Sequence, residues 1–230
     1  SIAITPATAA ALCDGGCGAA LVDTLRRPAL TAGPILVWSM PAIVQLAQFT
    51  ETHRRLLPAG AKDGLEAHAR GGANGAIRLD LLASLALGLL SNTGGPHIAM
   101  SVPLRAVKDI VSLLSKRVFA TSAEEVVESR AFCGLKLEYP PRIVLQSLIG
   151  LMHSGAHRAM TWQTLLPELL TGLLAGELPS TYGKEGAHLV GPGVVDLARA
   201  CAETLLQQRE GSSEAREDLQ AALSAAAAKR

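Results

Sequence analysis

The closest approach to a ligand pair in this chain is His153-Ser-Gly-Ala-His157. Two imidazoles four residues apart share one face of a continuing helix, where they can hold a metal ion. The helical zinc-protease pattern also places a Glu between its histidines as general base, and none stands here. Gly155 reads as a helix end, which would separate the pair, so no metal site is expected. A strained serine turn of the G-x-S-x-G type is absent. Gly183-Lys184 is followed by Glu185 and not by the Ser or Thr of a phosphate-cradling loop. The segment Gly71–Gly75 offers backbone amides to an anion at a helix N-terminus, but with no paired motif it reads as a loop between helices. Cys13 and Cys17 form C-x-x-x-C, and Cys133 and Cys201 supply no second pair at metal-ligand spacing. All four are expected to be reduced thiols in a helical interior. No catalytic residue, metal or cofactor is predicted. The alternative is an all-α enzyme or small-molecule binder, with a pocket between helices holding at least two of His153, His157, His188, Glu185 and Asp196.

A recurring phrase says more about the elements that position these residues. His53 precedes Leu65 by 12 residues, His97 precedes Ile110 by 13, and His157 precedes Leu169 by 12. Each His comes after an apolar stretch, and the three lie 44 and 60 residues apart. Self-similarity near that period is the mark of helical repeats that bury their apolar faces by stacking on one another. In that setting the histidines read as turn residues, each imidazole bonding a loop carbonyl.

Composition agrees. Hydrophobic residues make up 49% of the 230 and aromatics only 3%. The apolar mass is Leu, Ala, Val and Ile, which favours closely packed helices over sheets. With 21 basic and 20 acidic residues the net charge is +1, which leaves no basic stripe for phosphates. A helical nucleoprotein is thus the least favoured class. Neither Pro34–Leu46 nor Leu79–Leu90 reaches the roughly 20 residues of a membrane span. An intracellular protein, cytoplasmic or organellar and not secreted, is expected. The chain starts at Ser1 and not at Met, which leaves processing open.

Helix signals run throughout. Thr5-Pro6 is an N-cap with Pro at the first helical position. Ser101 with Pro103 opens another helix, Thr121-Ser-Ala-Glu124 is a capping box, and Thr161 is expected to cap the next helix. Residues Leu104, Val107, Val111, Leu114 and Val118 make one apolar stripe, with Arg105, Lys108, Ser112 and Lys116 facing away. Leu79–Leu90 is apolar all round and must be covered on most sides. The glycine-rich stretches, including Asn92-Thr-Gly-Gly-Pro96, read as loops. The Leu-x-x-Leu-Leu matches at Leu166–Leu170 and Leu170–Leu174 read as core packing.

His53-Arg-Arg-Leu-Leu-Pro-Ala-Gly60-Ala-Lys-Asp-Gly-Leu65 resembles the middle of an armadillo or HEAT-like repeat: a short first helix, a Gly-Ala turn, then a Leu-striped second helix. His97–Leu114 and His157–Leu174 resemble the same pattern. Ala42–Ala47, Leu82–Leu90 and Leu145–Leu151 resemble the long third helix that closes a unit, and Cys17–Arg27 a second helix of a partial first unit. The resemblance implies an all-α fold, a right-handed α-solenoid of about four armadillo-like helical repeats in a single domain spanning 1–230. The units would be 1–33, 34–76, 77–135 with an insertion at 118–139, 140–189, and a C-terminal cap at 190–230. The alternative is an irregular α-helical bundle. Third helices would line a concave face presenting Trp38, Gln45, Gln48, Arg78, Asp80, Arg142, Gln146, Arg199 and Glu203, with Trp38 as the anchor or else an ordinary core Trp. The Trp and Asn ladders of cargo-carrying members are missing from Leu-Ala-Leu-Gly and Leu-Ile-Gly-Leu, so import-type peptide recognition is not expected. The implied function is a non-catalytic protein-interaction scaffold or assembly subunit of a larger protein complex.

Overall fold

The computed structural model describes residues 5–27, 34–71, 78–118, 141–176, 192–207 and 210–228, and every element among them is a helix. In chain order these are α1 (Pro6–Asp14), α2 (Cys17–Arg26), α3 (Pro34–Ala47), α4 (Thr50–Leu56), α5 (Ala61–Arg70), α6 (Leu79–Gly94) and α7 (Pro96–Ala99). Then come α8 (Leu104–Val118), α9 (Pro141–Leu151), α10 (Gly155–Trp162), α11 (Leu166–Ala175), α12 (Pro192–Leu206) and α13 (Ser213–Ala228). No helix of the described residues is long and apolar enough to cross a membrane.

Local chemistry sets many of the ends. Thr5 caps α1, its Oγ1 accepting from the Thr8 N–H at 3.2 Å, and Pro6 opens the helix. The α4–α5 turn closes on Gly60 at φ 89°, a left-handed conformation that a side chain would resist. A Cβ there would also press on the Arg26 guanidinium at 3.1 Å. Ser212 caps α13, accepting from the Ala215 N–H at 3.2 Å.

Helix α6 lies at the centre. It packs against α3, α4, α5, α7, α8 and α9, and Leu82 through Ser91 are all buried. This is the cover that an all-round apolar helix requires. Its serines make no outside demand, since Ser84 Oγ donates to the Asp80 carbonyl and Ser91 Oγ to the Leu87 carbonyl, each at 2.7 Å. Around this centre the long helices form a succession: α3 packs on α6, α6 on α9, and α9 on α12. Helices α2, α5, α8 and α11 pair with α3, α6, α9 and α12 respectively, and α13 lies on α11 and α12.

The tightest crossing is α6 on α9. A Cβ built on Gly150 would collide with the Gly88 carbonyl, and one on Gly88 would collide with Ser147. Ser147 Oγ uses that closeness to donate to the Leu85 carbonyl at 3.0 Å. Asn92 Nδ2 donates to the Gln146 carbonyl at 3.1 Å.

Several expectations need correction. His53, His97 and His157 lie inside the short helices α4, α7 and α10, not in turns. Helix α9 ends at Leu151 and α10 begins at Gly155, so His153 and His157 share no helix. Thr161 lies within α10, its hydroxyl donating to the Arg158 carbonyl at 2.6 Å. The N-cap of α11 is Leu165, which offers no side-chain cap, and Thr164 Oγ1 just before it accepts from the Leu166 N–H at 3.2 Å. Leu104 is 40% exposed, because it starts α8 ahead of the turn that reaches the core, whereas Val107, Val111 and Leu114 are buried. Cys17 is exposed while Cys13 and Cys201 are buried. Asn92 is helical, since α6 continues to Gly94. The Thr121–Glu124 box, the 119–139 part of the insertion, residues 72–77, Cys133, Gly183–Gly186 with Glu185, His188 and Lys229-Arg230 lie outside the described residues.

Candidate functional site

The nine face candidates sit on or beside α3, α6, α9 and α12, but in different states. Trp38 is 49% exposed on α3 and, with Ile35 at 46%, makes an apolar patch on that helix. Arg142 on α9 and Glu203 on α12 are exposed. Arg199, half-buried, pairs with Asp196 at 3.1 Å. Arg78 and Asp80 are engaged with each other: the guanidinium grips the Asp80 carboxylate through two bonds of 3.0 Å and reaches Asp109 on α8 at 2.5 Å. Burial alone would raise the Asp80 acid, but the Arg78 guanidinium outweighs it and holds the carboxyl below its usual range. Arg78 is itself pushed up by its two carboxylate partners. This trio clamps the start of α6 to α8.

Gln48 and Gln146 meet around a cleft of about 160 Å³, joined by Asn92 and His53. Ala47, Thr50, Leu89 and Ile149 complete its lining, so α3, α4, α6 and α9 all contribute. Two of the amide nitrogens are occupied: Gln48 Nε2 donates to the Gln45 carbonyl and side-chain oxygen, both at 2.9 Å. Asn92 Nδ2 donates to the Leu89 and Gln146 carbonyls, both at 3.1 Å. Gln146 Oε1 is buried and has no hydrogen-bond partner among the described residues.

His53 forms one wall. Its Nε2–H donates to the Ala47 carbonyl at 2.7 Å, and Nδ1 accepts the Thr93 hydroxyl at 2.6 Å. Burial pushes its pKa down, against the opposing pull of the Ala47 bond and the Glu51 carboxylate, so the ring is held neutral. His157 is likewise lowered by burial, with Nε2–H donating to the Val102 carbonyl at 2.8 Å. His153 and His97 are exposed. Among the described residues no group of three His, Cys, Asp or Glu is placed to hold a metal ion.

Comparison with known protein families, with curated proteins and with solved structures finds no match to this chain. Its own geometry therefore carries the functional reading. Sequence reasoning found Gln48 and Gln146 but missed Asn92, which it placed in a glycine-rich loop. The available signal was the unbroken Leu-rich stripe leading directly into Asn92. His53 was found as a recurring letter and given the wrong setting.

Proposed function

We propose that this chain is a protein-interaction scaffold, built as a right-handed α-solenoid of about four armadillo-like units. The observation that carries the reading is the succession α3, α6, α9 and α12, each packed on the next. The units would be α1–α3, α4–α6, α7–α9 and α10–α12, with α13 covering the last. Repeats that bury their apolar faces only against neighbours generate an extended shared face, and binding is the use such faces serve. Exposure of Trp38 and Ile35 on the first long helix supports it, because aromatic anchors concentrate interface energy. The partner is a protein, within a larger assembly.

The enzyme alternative draws on His153, His157, His188, Glu185 and Asp196, of which His188 and Glu185 lie outside the described residues. His153 is exposed, His157 is buried with Nε2–H on the Val102 carbonyl, and Asp196 is exposed and paired with Arg199. None of His153, His157 and Asp196 lines the cleft. The deciding experiment is purification from the source with endogenous partners, comparing the native chain with Trp38→Ala and mapping cross-links. Cross-links on α3, α6, α9 and α12 that disappear with Trp38→Ala support the scaffold. A chain recovered alone, monomeric and turning over a metabolite sinks it.

A further inference from the structure

The α1–α2 corner brings two thiols together. Cys13 is the last residue but one of α1 and Cys17 the first of α2, with Asp14, Gly15 and Gly16 between them. In an unbroken helix, residues four apart hold their Cβ atoms about 5–6 Å from each other, wider than the roughly 3.5–4.5 Å that a disulfide spans. Here the helix breaks. The Gly16 N–H donates to the Cys13 carbonyl at 3.1 Å, and Gly16 then turns the chain back at φ 90°, a conformation glycine adopts freely. One residue past Cys17, the chain passes directly against Cys13. A Cβ on Gly18 would lie 3.0 Å from Cys13 Sγ and 3.6 Å from Cys13 Cβ. Cys17 is thus bracketed by two residues that each touch Cys13. The Cys17 thiol also acts on Cys13 directly, adding to the burial that raises the Cys13 thiol.

The two thiols differ in access. Cys17 is exposed, so a small reagent reaches it first. Cys13 is 4% exposed, and Cys17 is its neighbouring route to solvent. Cys201 is buried far along the chain, on α12.

We propose that Cys13 and Cys17 form a dithiol modification site, which closes to an intrachain disulfide on reaction with a small-molecule disulfide such as oxidised glutathione. The site needs no protein partner and stands apart from the scaffold reading. The Cys17 thiolate attacks one sulfur of the oxidant, forming a mixed disulfide and releasing one small thiol. Cys13, giving up its proton, attacks the Cys17 sulfur and expels the second small thiol. The two electrons and two protons lost by the cysteines end on the two released thiols. The first step is fast because Cys17 is exposed. The second is slow, because Cys13 Sγ must leave its place over Gly18.

The test incubates the folded full chain with oxidised glutathione, alkylates the remaining thiols and weighs the tryptic peptide Ser1–Arg26, which carries both cysteines. A transient glutathione adduct is expected, giving way to a peptide lighter by two hydrogens that reductant restores. Cys13→Ala is expected to stop at the adduct on Cys17. Cys17→Ala is expected to slow modification of Cys13 by at least about tenfold. Circular dichroism checks that each variant keeps its helices, and the native peptide mass decides the matter if one does not. An unreacted peptide, a lasting glutathione adduct in the native chain, or a bond from Cys17 to Cys133, to Cys201 or to a second chain overturns the proposal.

Discussion

Gly88 and Gly150 bring the backbones of α6 and α9 into direct contact, with the Gly88 carbonyl occupying the space that a Cβ on Gly150 would need. Around that point Ser147 bonds the Leu85 carbonyl and Asn92 bonds the Gln146 carbonyl. The close crossing therefore also sets the position of two amides that line the cleft.

Gly150→Ala is expected to destabilise the chain by about 3 kcal/mol or more, because the obstacle is backbone that cannot rotate aside. Gly88→Ala meets Ser147 and should act similarly. Urea unfolding monitored by circular dichroism measures both. A loss below about 1 kcal/mol for Gly150→Ala would mean that the two helices can separate at little cost.

Acidification should weaken the fold through His53 and His157. Both are held below the ordinary value of 6.5 by burial, and unfolding returns them to it. As pH falls through 6.5 the unfolded chain takes up protons that the native chain refuses, so stability drops. Each His contributes a slope of up to about 1.4 kcal/mol per pH unit. Urea midpoints measured from pH 8 to pH 5 should decline, and less steeply in His53→Gln and in His157→Gln. A rising midpoint contradicts the neutral, buried state of both rings.

Removing Arg78 leaves the Asp80 carboxylate poorly solvated and unpaired. Arg78→Met should cost about 1–2 kcal/mol at neutral pH, the lower part of that range reflecting the 42% exposure of the Arg78 side chain. Asp80 is held below its ordinary 3.8, so its contribution exists above that value and is lost as pH falls through the native pKa. The variant should therefore show a shallower stability loss below pH 3.8 than the native chain. Parallel denaturation curves over that range would remove Asp80 as a linked group.

Thiol reactivity should separate the cysteines. In a Cys133→Ser background Cys17 is expected to react rapidly with an aromatic disulfide reagent, since it is exposed. Cys201, fully buried with its thiol pushed up to about 12, should react only on unfolding. Cys13 is raised by burial with Cys17 and Asp14 alongside, and should fall in the slow class. Rapid reaction of more than one thiol in the folded Cys133→Ser chain would show that the α1–α2 corner or α12 opens readily.

The long helices were legible because their signals are local. The Leu run in α6, the Thr5 cap and the Gly60 turn each depend on residues within a few positions, and all appear where the letters put them. Thr161 and Asn92 were misplaced by one turn of helix, since a cap or loop residue and a helical one differ only in where the neighbouring backbone continues. Asn92 shows the cost: its amide helps build the cleft, yet its glycine neighbours made it look like linker.

The recurring histidine is the sharpest case. Its three occurrences each fall in a short helix, where the spacing had suggested turns. The three rings nevertheless have different fates. His53 reaches Ala47 and Thr93, His157 reaches Val102, and His97 faces solvent. Likewise, two glycines in Leu-rich runs announce nothing until α6 and α9 cross and one carbonyl fills the other's missing side chain. Helical class, helix faces and the approximate order of elements came from patterns within each segment. The cleft, the Arg78 clamp and the neutral His53 came only from tertiary structure, because each depends on groups distant in sequence that packing brings within hydrogen-bonding distance.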